Sequence, residues 1–164
     1  MKKMNNKGFS LVELIIVIAI MAILIVVLAP QYLKYVEKSR NSTDLQNITE
    51  IKTALEVYSA DPDAVVGLPN GSTVEITITA TGGNITQDYT DGGNSFAALA
   101  LQETDLTVTE IKCSSKNKWT AYKLQGTGNA QGGIDWKYAA DGGTNALTDF
   151  LAALGVSSAS GYTY

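Results

Sequence analysis

The sequence predicts an α+β protein: a long N-terminal α-helix, first a membrane span and then an amphipathic half, packed on an antiparallel β-sheet. Three observations carry this expectation. From Phe9 to Ala29 only Ser10 and Glu13 are polar. Beyond that run, apolar residues recur three or four apart as far as Tyr58, the spacing of one buried helical stripe. From Thr73 onward the pattern changes to alternation broken by Gly-rich stretches, which reads as strands and turns. The 164 residues divide accordingly into a leader at 1–8, an apolar helix at 9–30, an amphipathic half at 31–61 and a β-rich head at 62–164.

The first element opens with Lys2, Lys3 and Lys7 and then turns apolar. As a helix, residues 9–29 extend about 31 Å, the thickness of a bilayer's hydrocarbon core. A charge at the centre of such a span costs ~2.5–3.5 kcal/mol or more, so Glu13 needs compensation. A secretory signal peptide shares the basic start, but its apolar stretch is only about 7–15 residues. The one small-residue end here, Leu28-Ala29, is followed by Pro30, which suits signal peptidase poorly. A plain membrane anchor explains the length and leaves Glu13 without a use. A self-assembling helix, a membrane span first and a filament core later, explains both.

Lys7-Gly8-Phe9-Ser10-Leu11-Val12-Glu13 followed by sixteen apolar residues resembles the class III leader and N-terminal helix of type IV pilins. The resemblance is closest over residues 2–30, extends along the helix to about residue 60, and is architectural beyond. It implies cleavage between Gly8 and Phe9 by a prepilin peptidase that also N-methylates Phe9. That cut leaves the span on the mature chain. It further implies a single-pass precursor in the cell membrane with its N-terminus cytoplasmic, and later a surface filament. The implied partners are other copies of the chain in a helical homopolymer, the peptidase/N-methyltransferase, the assembly platform protein and its ATPase machinery, and minor pilins. Charge does not fix the orientation independently, because Lys34, Lys38 and Arg40 after the span match the three lysines before it.

Glu13 lies one helical turn beyond Phe9, on the same face. Near the helix N-terminus its charge is favoured by the dipole. The resemblance assigns it a further role: the freed amine of Phe9 on an incoming subunit neutralises it during assembly. The alternative is a carboxylate close enough to the membrane surface to reach water.

Pro30 lacks a backbone donor and predicts a bend. Ala22 stands where many pilins have glycine. After Pro30 the helix continues as a stripe of Leu45, Ile48, Ile51, Leu55 and Tyr58, with Glu37, Lys38, Arg40, Asp44, Glu50 and Lys52 as its wet surface. Asp61-Pro62-Asp63 ends it. Thr73–Thr81 alternates as a strand, Gly82-Gly83-Asn84 turns the chain, and Leu106–Cys113, Trp119–Leu124 and Ile134–Ala139 read as three further strands. Residues 114–118 are the expected hairpin loop between the first two of these. Asn94 or Ser95 caps a helix over Phe96–Gln102, and Thr144 caps another over Asn145–Leu154 that ends at Gly155.

Composition excludes several chemistries. With no histidine and one cysteine, neither a zinc centre nor a histidine-based active site can be built, and no cofactor or enzymatic activity is expected. Cys113 reads as a small buried residue, with an intermolecular disulfide as the alternative. A single cysteine cannot close the C-terminal disulfide loop of many Gram-negative pilins, so the resemblance points to clostridial, Gram-positive major pilins. Without residues 1–8 the formal charge is −7, which opposes nucleic-acid binding. Asp88, Asp91, Asp135 and Asp141 lie in Gly-rich loops, but their spacing lacks the alternating ligands of a calcium loop. Asn41, Asn47, Asn70 and Asn84 begin N-x-Ser/Thr sequons that are expected to stay unmodified. Trp119, Tyr122, Trp136 and Tyr138 read as core or subunit-contact aromatics. Tyr162 and Tyr164 either pack on the sheet or reach a neighbour.

The function implied is structural: the major subunit of a type IV pilus, serving adhesion, aggregation or biofilm, and twitching motility. The alternative is a pseudopilin of a type II secretion or competence system. An anchored extracytoplasmic enzyme is the reading from another class.

Overall fold

The computed structural model describes residues 8–164. The leader lysines Lys2, Lys3 and Lys7 lie outside the described residues. The elements run α1 (Leu11–Ala60), β1 (Thr73–Thr79), β2 (Gly82–Gln87), β3 (Thr90–Asp91), β4 (Asn94–Ser95), α2 (Phe96–Glu103), β5 (Trp119–Gly128), β6 (Ile134–Gly142) and α3 (Ala146–Leu154). The chain forms two compact units that divide at Lys38/Ser39, within α1.

In the first unit every residue of the apolar run is exposed, so nothing within this unit covers it. Pro30 lies inside the helix.

In the second unit the remainder of α1 lays Ile48, Ile51, Leu55 and Tyr58 into a core, with Leu45 at its margin. The helix ends as expected at Ala60, where the Asp63 amide donates to Asp61 Oδ1 at 2.9 Å. The core's other wall is a four-stranded antiparallel sheet in the order β2-β1-β5-β6. Its register aligns Ile76 with Leu124 and Leu124 with Tyr138, so period-2 alternation sends Val74, Ile76, Ile78, Tyr122, Leu124 and Tyr138 to one face. Phe96 and Leu101 of α2 and Phe150 of α3 complete the cluster. Phe150 meets Trp119 edge-on at 4.9 Å and stacks on Tyr122 at 5.2 Å. Ser95 caps α2, its hydroxyl accepting from the Ala98 amide at 3.1 Å and donating to Asp88.

Several expectations are corrected. Gly82-Gly83-Asn84 does not turn the chain; the turn is Ala80-Thr81, and the glycines begin β2. Glycine is needed there because residues 107–110 cross over that point. A Cβ on Gly83 would stand 2.4 Å from the Val108 carbonyl oxygen. That same crossing explains why Leu106–Cys113 is not a strand. Both edges of β1 are already paired, and Val108–Glu110 forms a 3-10 turn instead. Residues 114–118 are therefore not a hairpin loop. The long hairpin is β5–β6, closed by the Asn129 side chain, which accepts from the Gln131 and Gly133 amides. Both strands run past their expected ends, β5 to Gly128 and β6 to Gly142. Thr144 does not cap α3. Asn145 occupies the cap position without a side-chain bond, while Gly155 (φ 71) ends the helix as expected. Glu37 and Asp44, expected in water, are buried.

The C-terminal segment packs on the sheet. The Tyr162 amide donates to the Tyr138 carbonyl at 3.0 Å, and its hydroxyl donates to Glu75 Oε2 at 2.8 Å. Lys123 Nζ sits 4.6 Å from the Tyr164 ring centroid.

Candidate functional site

Gly8, Phe9 and Ser10 precede the first turn of α1 without regular structure. Phe9 is 88% exposed, and among the described residues nothing beyond its chain neighbours lies within 4 Å of the position a Cβ on Gly8 would take. Among the described residues nothing covers the Gly8-Phe9 peptide. The Leu14 amide closes the first helical bond to the Ser10 carbonyl at 3.2 Å. Glu13, in the third helical position, turns back so that its Oε2 accepts from the Ser10 amide at 2.9 Å. Ser-x-x-Glu at a helix start is the capping-box arrangement, and it uses a donor that the helix itself leaves unpaired. In a single chain Glu13 thus has a neutral partner. A cation approaching this end meets a carboxylate whose second oxygen has no hydrogen-bond partner among the described residues, beside the helix's positive terminus. Pro30 stands far along the same helix and takes no part in this cluster.

The residue that sequence reasoning missed is Asp44. It is fully buried, yet its carboxylate is saturated: Oδ1 accepts from the Ser114 amide at 2.7 Å. Oδ2 accepts from the Ser115 amide at 2.9 Å and Trp119 Nε1 at 2.8 Å, with the Cys113 thiol at 3.6 Å. Charge-assisted bonds from neutral donors keep a buried carboxylate tolerable. The signal was present in the spacing, because 44, 48, 51, 55 and 58 continue one stripe. Asp44 also lies close enough to Tyr122 to disfavour its phenolate; burial is the first cause, and together they push that hydroxyl well above the usual tyrosine value.

Among the described residues no group of three or more Asp, Glu or Cys side chains is placed to hold a metal. Asp88 is engaged by Ser95 and the Ala97 amide, Asp135 by Asn129, and Asp141 by the Gly142 amide. Each serves as a turn or cap residue. Cys113 is buried, its thiol facing Asp44 Oδ2.

Residues 3–29 match the family model described as the prokaryotic N-terminal methylation motif. That segment is similar to the N-terminus of type IV prepilins. The pilin-like chain is 37% identical over 84 residues to prepilin peptidase-dependent protein A of Clostridium perfringens, covering 51% of this chain and 56% of that protein. It is 37% identical over 101 residues to the type IV major fimbrial protein FimA of Dichelobacter nodosus, covering 61% and 60%. Fimbrial protein Q of Moraxella bovis is 33% identical over 101 residues, covering 58% and 64%. The pilin-like chain thus spans rather less than two thirds of each of these relatives. No solved structure matches it. Its helix-on-sheet head agrees with the α+β type IV pilin fold, and two of the relatives named are fimbrial proteins.

Proposed function

We propose that this chain is the major repeating subunit of a type IV pilus. A prepilin peptidase cuts between Gly8 and Phe9 and methylates Phe9. The mature chain then waits in the membrane through its apolar helix, N-terminus inward. An assembly platform driven by its ATPase, together with minor pilins, moves it into a surface filament that serves adhesion and aggregation.

The observation that carries this reading is the wholly exposed apolar face of residues 11–29, headed by one carboxylate. Such a surface is unsuited to water and requires lipid or other copies of itself. Glu13 supplies the register. During insertion of a new subunit the Phe9 amine takes the place of the Ser10 amide on a neighbour's carboxylate, exchanging a neutral donor for a charged one.

Intact mass and N-terminal sequence of the protein in fibres sheared from native cells test the reading. A chain that begins at methylated Phe9 and dominates the fibre fraction is the expected result. A chain that begins at Met1 and stays in the membrane overturns it.

A further inference from the structure

The head unit, Ser39–Tyr164, carries seven basic and fourteen acidic side chains, and the two signs are unevenly placed. The ends of the unit can be told apart by what α1 touches. Asp44 holds Trp119 at the start of β5, while Glu56 accepts from Trp136 Nε1 at 2.7 Å, opposite Gly126 near the end of β5. Helix and strand therefore run side by side, and twelve helical residues set the two stations about 18 Å apart.

The far end gathers Glu56, Asp61, Asp63, Asp91 and Asp135 around the helix terminus, where grooves bring Ser59 together with Asp91 and Gly132. Its cations are Lys52, 3.6 Å from Glu56, and Lys137, beside Trp136 on β6. At the near end, Arg40 stands one turn before Asp44. The segment wrapped on Asp44 reads Lys112-Cys-Ser-Ser-Lys116-Asn-Lys118-Trp, with three exposed lysines and no acid. Cys113, Ser114, Ser115 and Trp119 all bond to Asp44, so each lysine flanks an anchored residue. The buried carboxylate thereby fixes a basic loop at the end of the unit from which the chain leads back, in ten residues, to the last residue of the apolar run.

We propose that residues 112–118, with Arg40, form a docking surface for the anionic phospholipid headgroups of the bilayer that holds the chain's own apolar helix. The inference rests on the membrane-held stage proposed above. Basic residues beside a span are drawn to anionic leaflets within about a Debye length, and the span keeps the local concentration of lipid high. The acidic far end is repelled by the same surface, so charge alone orients the head. Glu110, Asp141 and Asp149 occupy neighbouring segments of the near end and keep the docking weak and reversible. A subunit leaving the bilayer loses the contact together with its lipid.

The test uses the full chain in nanodiscs of phosphatidylcholine, alone or with phosphatidylglycerol, containing lipid with a nitroxide on its headgroup. A dye is placed at Thr120→Cys beside the loop or, separately, at Gln131→Cys at the far end; buried Cys113 stays unlabelled. Entry of the chain into the discs is measured first by size exclusion, and a chain that stays out overturns the membrane-held stage itself. The expected result is quenching at Thr120→Cys in anionic discs only. Lys112→Gln/Lys116→Gln/Lys118→Gln, or salt raised to about 0.5 M, should lower the docked-to-undocked ratio about tenfold. Lys137→Gln should leave the ratio unchanged, and Gln131→Cys should stay bright. Native-like Trp fluorescence of the triple variant shows that it folds. Equal quenching in neutral discs, or a triple variant that still docks, overturns the proposal. Quenching that needs the lysines but not the anionic lipid assigns the loop to a second copy of the chain and overturns it as well.

Discussion

Asp44→Ala is the sharpest perturbation of the head. The substitution removes one carboxylate and strands the Ser114 amide at the edge of the core and the Ser115 amide and Trp119 Nε1 inside it. Hydrogen bonds to a charged acceptor contribute roughly 1.5–3 kcal/mol each, and a buried donor left without a partner costs ~1–3 kcal/mol. With partial relaxation toward water at Ser114, the expected loss is about 3–6 kcal/mol, against a total of about 5–15 kcal/mol for a typical domain. Asp44→Asn keeps the volume and one acceptor but sets an NH2 against an amide donor, so about 1.5–3 kcal/mol is expected. Trp119→Phe removes a single donor and should cost about 1–2 kcal/mol, packing included. Guanidinium unfolding of the full chain in detergent, followed by tryptophan fluorescence in the Asp44 variants and by circular dichroism in all three, gives the order. Asp44→Ala within about 0.5 kcal/mol of the parent would refute the claim that this carboxylate holds loop and helix together.

Three further outcomes are expected. Glu13→Ala should enter membranes normally yet yield few or no fibres, while Glu13→Asp, one methylene shorter, should recover them partly; sheared-fibre yield decides. Gly128→Ala should destabilise the head by about 1–3 kcal/mol, since its Cβ would stand 2.3 Å from the Pro69 carbonyl oxygen, and thermal melting reads the loss. Burial would raise the pKa of Glu75, but hydrogen bonds from Thr86 and Tyr162 and the attraction of Lys123 outweigh it and hold the carboxyl below the ordinary glutamate value of 4.5. A lowered folded-state pKa contributes stability above that value and loses it as pH falls through the folded pKa. Melting temperature should therefore decline on acidification below about 4.5, and Glu75→Gln should flatten that part of the profile.

Where one force decided the outcome, the sequence was legible. The apolar run, the stripe Ile48-Ile51-Leu55-Tyr58, the β1 alternation and the Ser95 and Gly155 caps each follow from burial or backbone geometry alone. The N-terminal motif matched over residues 3–29 was also visible, because few segments combine that spacing with so long a span. The errors arose where tertiary structure overrode local pattern. Residues 106–113 alternate well but meet a sheet whose β1 edges are occupied. Gly82 and Gly83 look like a turn, although their smallness serves a crossing chain. Asp44 was assigned to water by residue type, since donors seventy residues away in sequence cannot be read from the helix that needs them.

The tethered C-terminus bears on how this protein can be handled. Tyr162 and Tyr164 lie against Glu75 and Lys123, so an affinity tag fused after Tyr164 pulls on a working contact. The β3–β4 tip is a better host for foreign sequence. Gly92 and Gly93 are exposed, with φ of 57° and 85°, and the flanking Thr90 and Ser95 are already paired. An epitope inserted between those glycines leaves every buried residue in place.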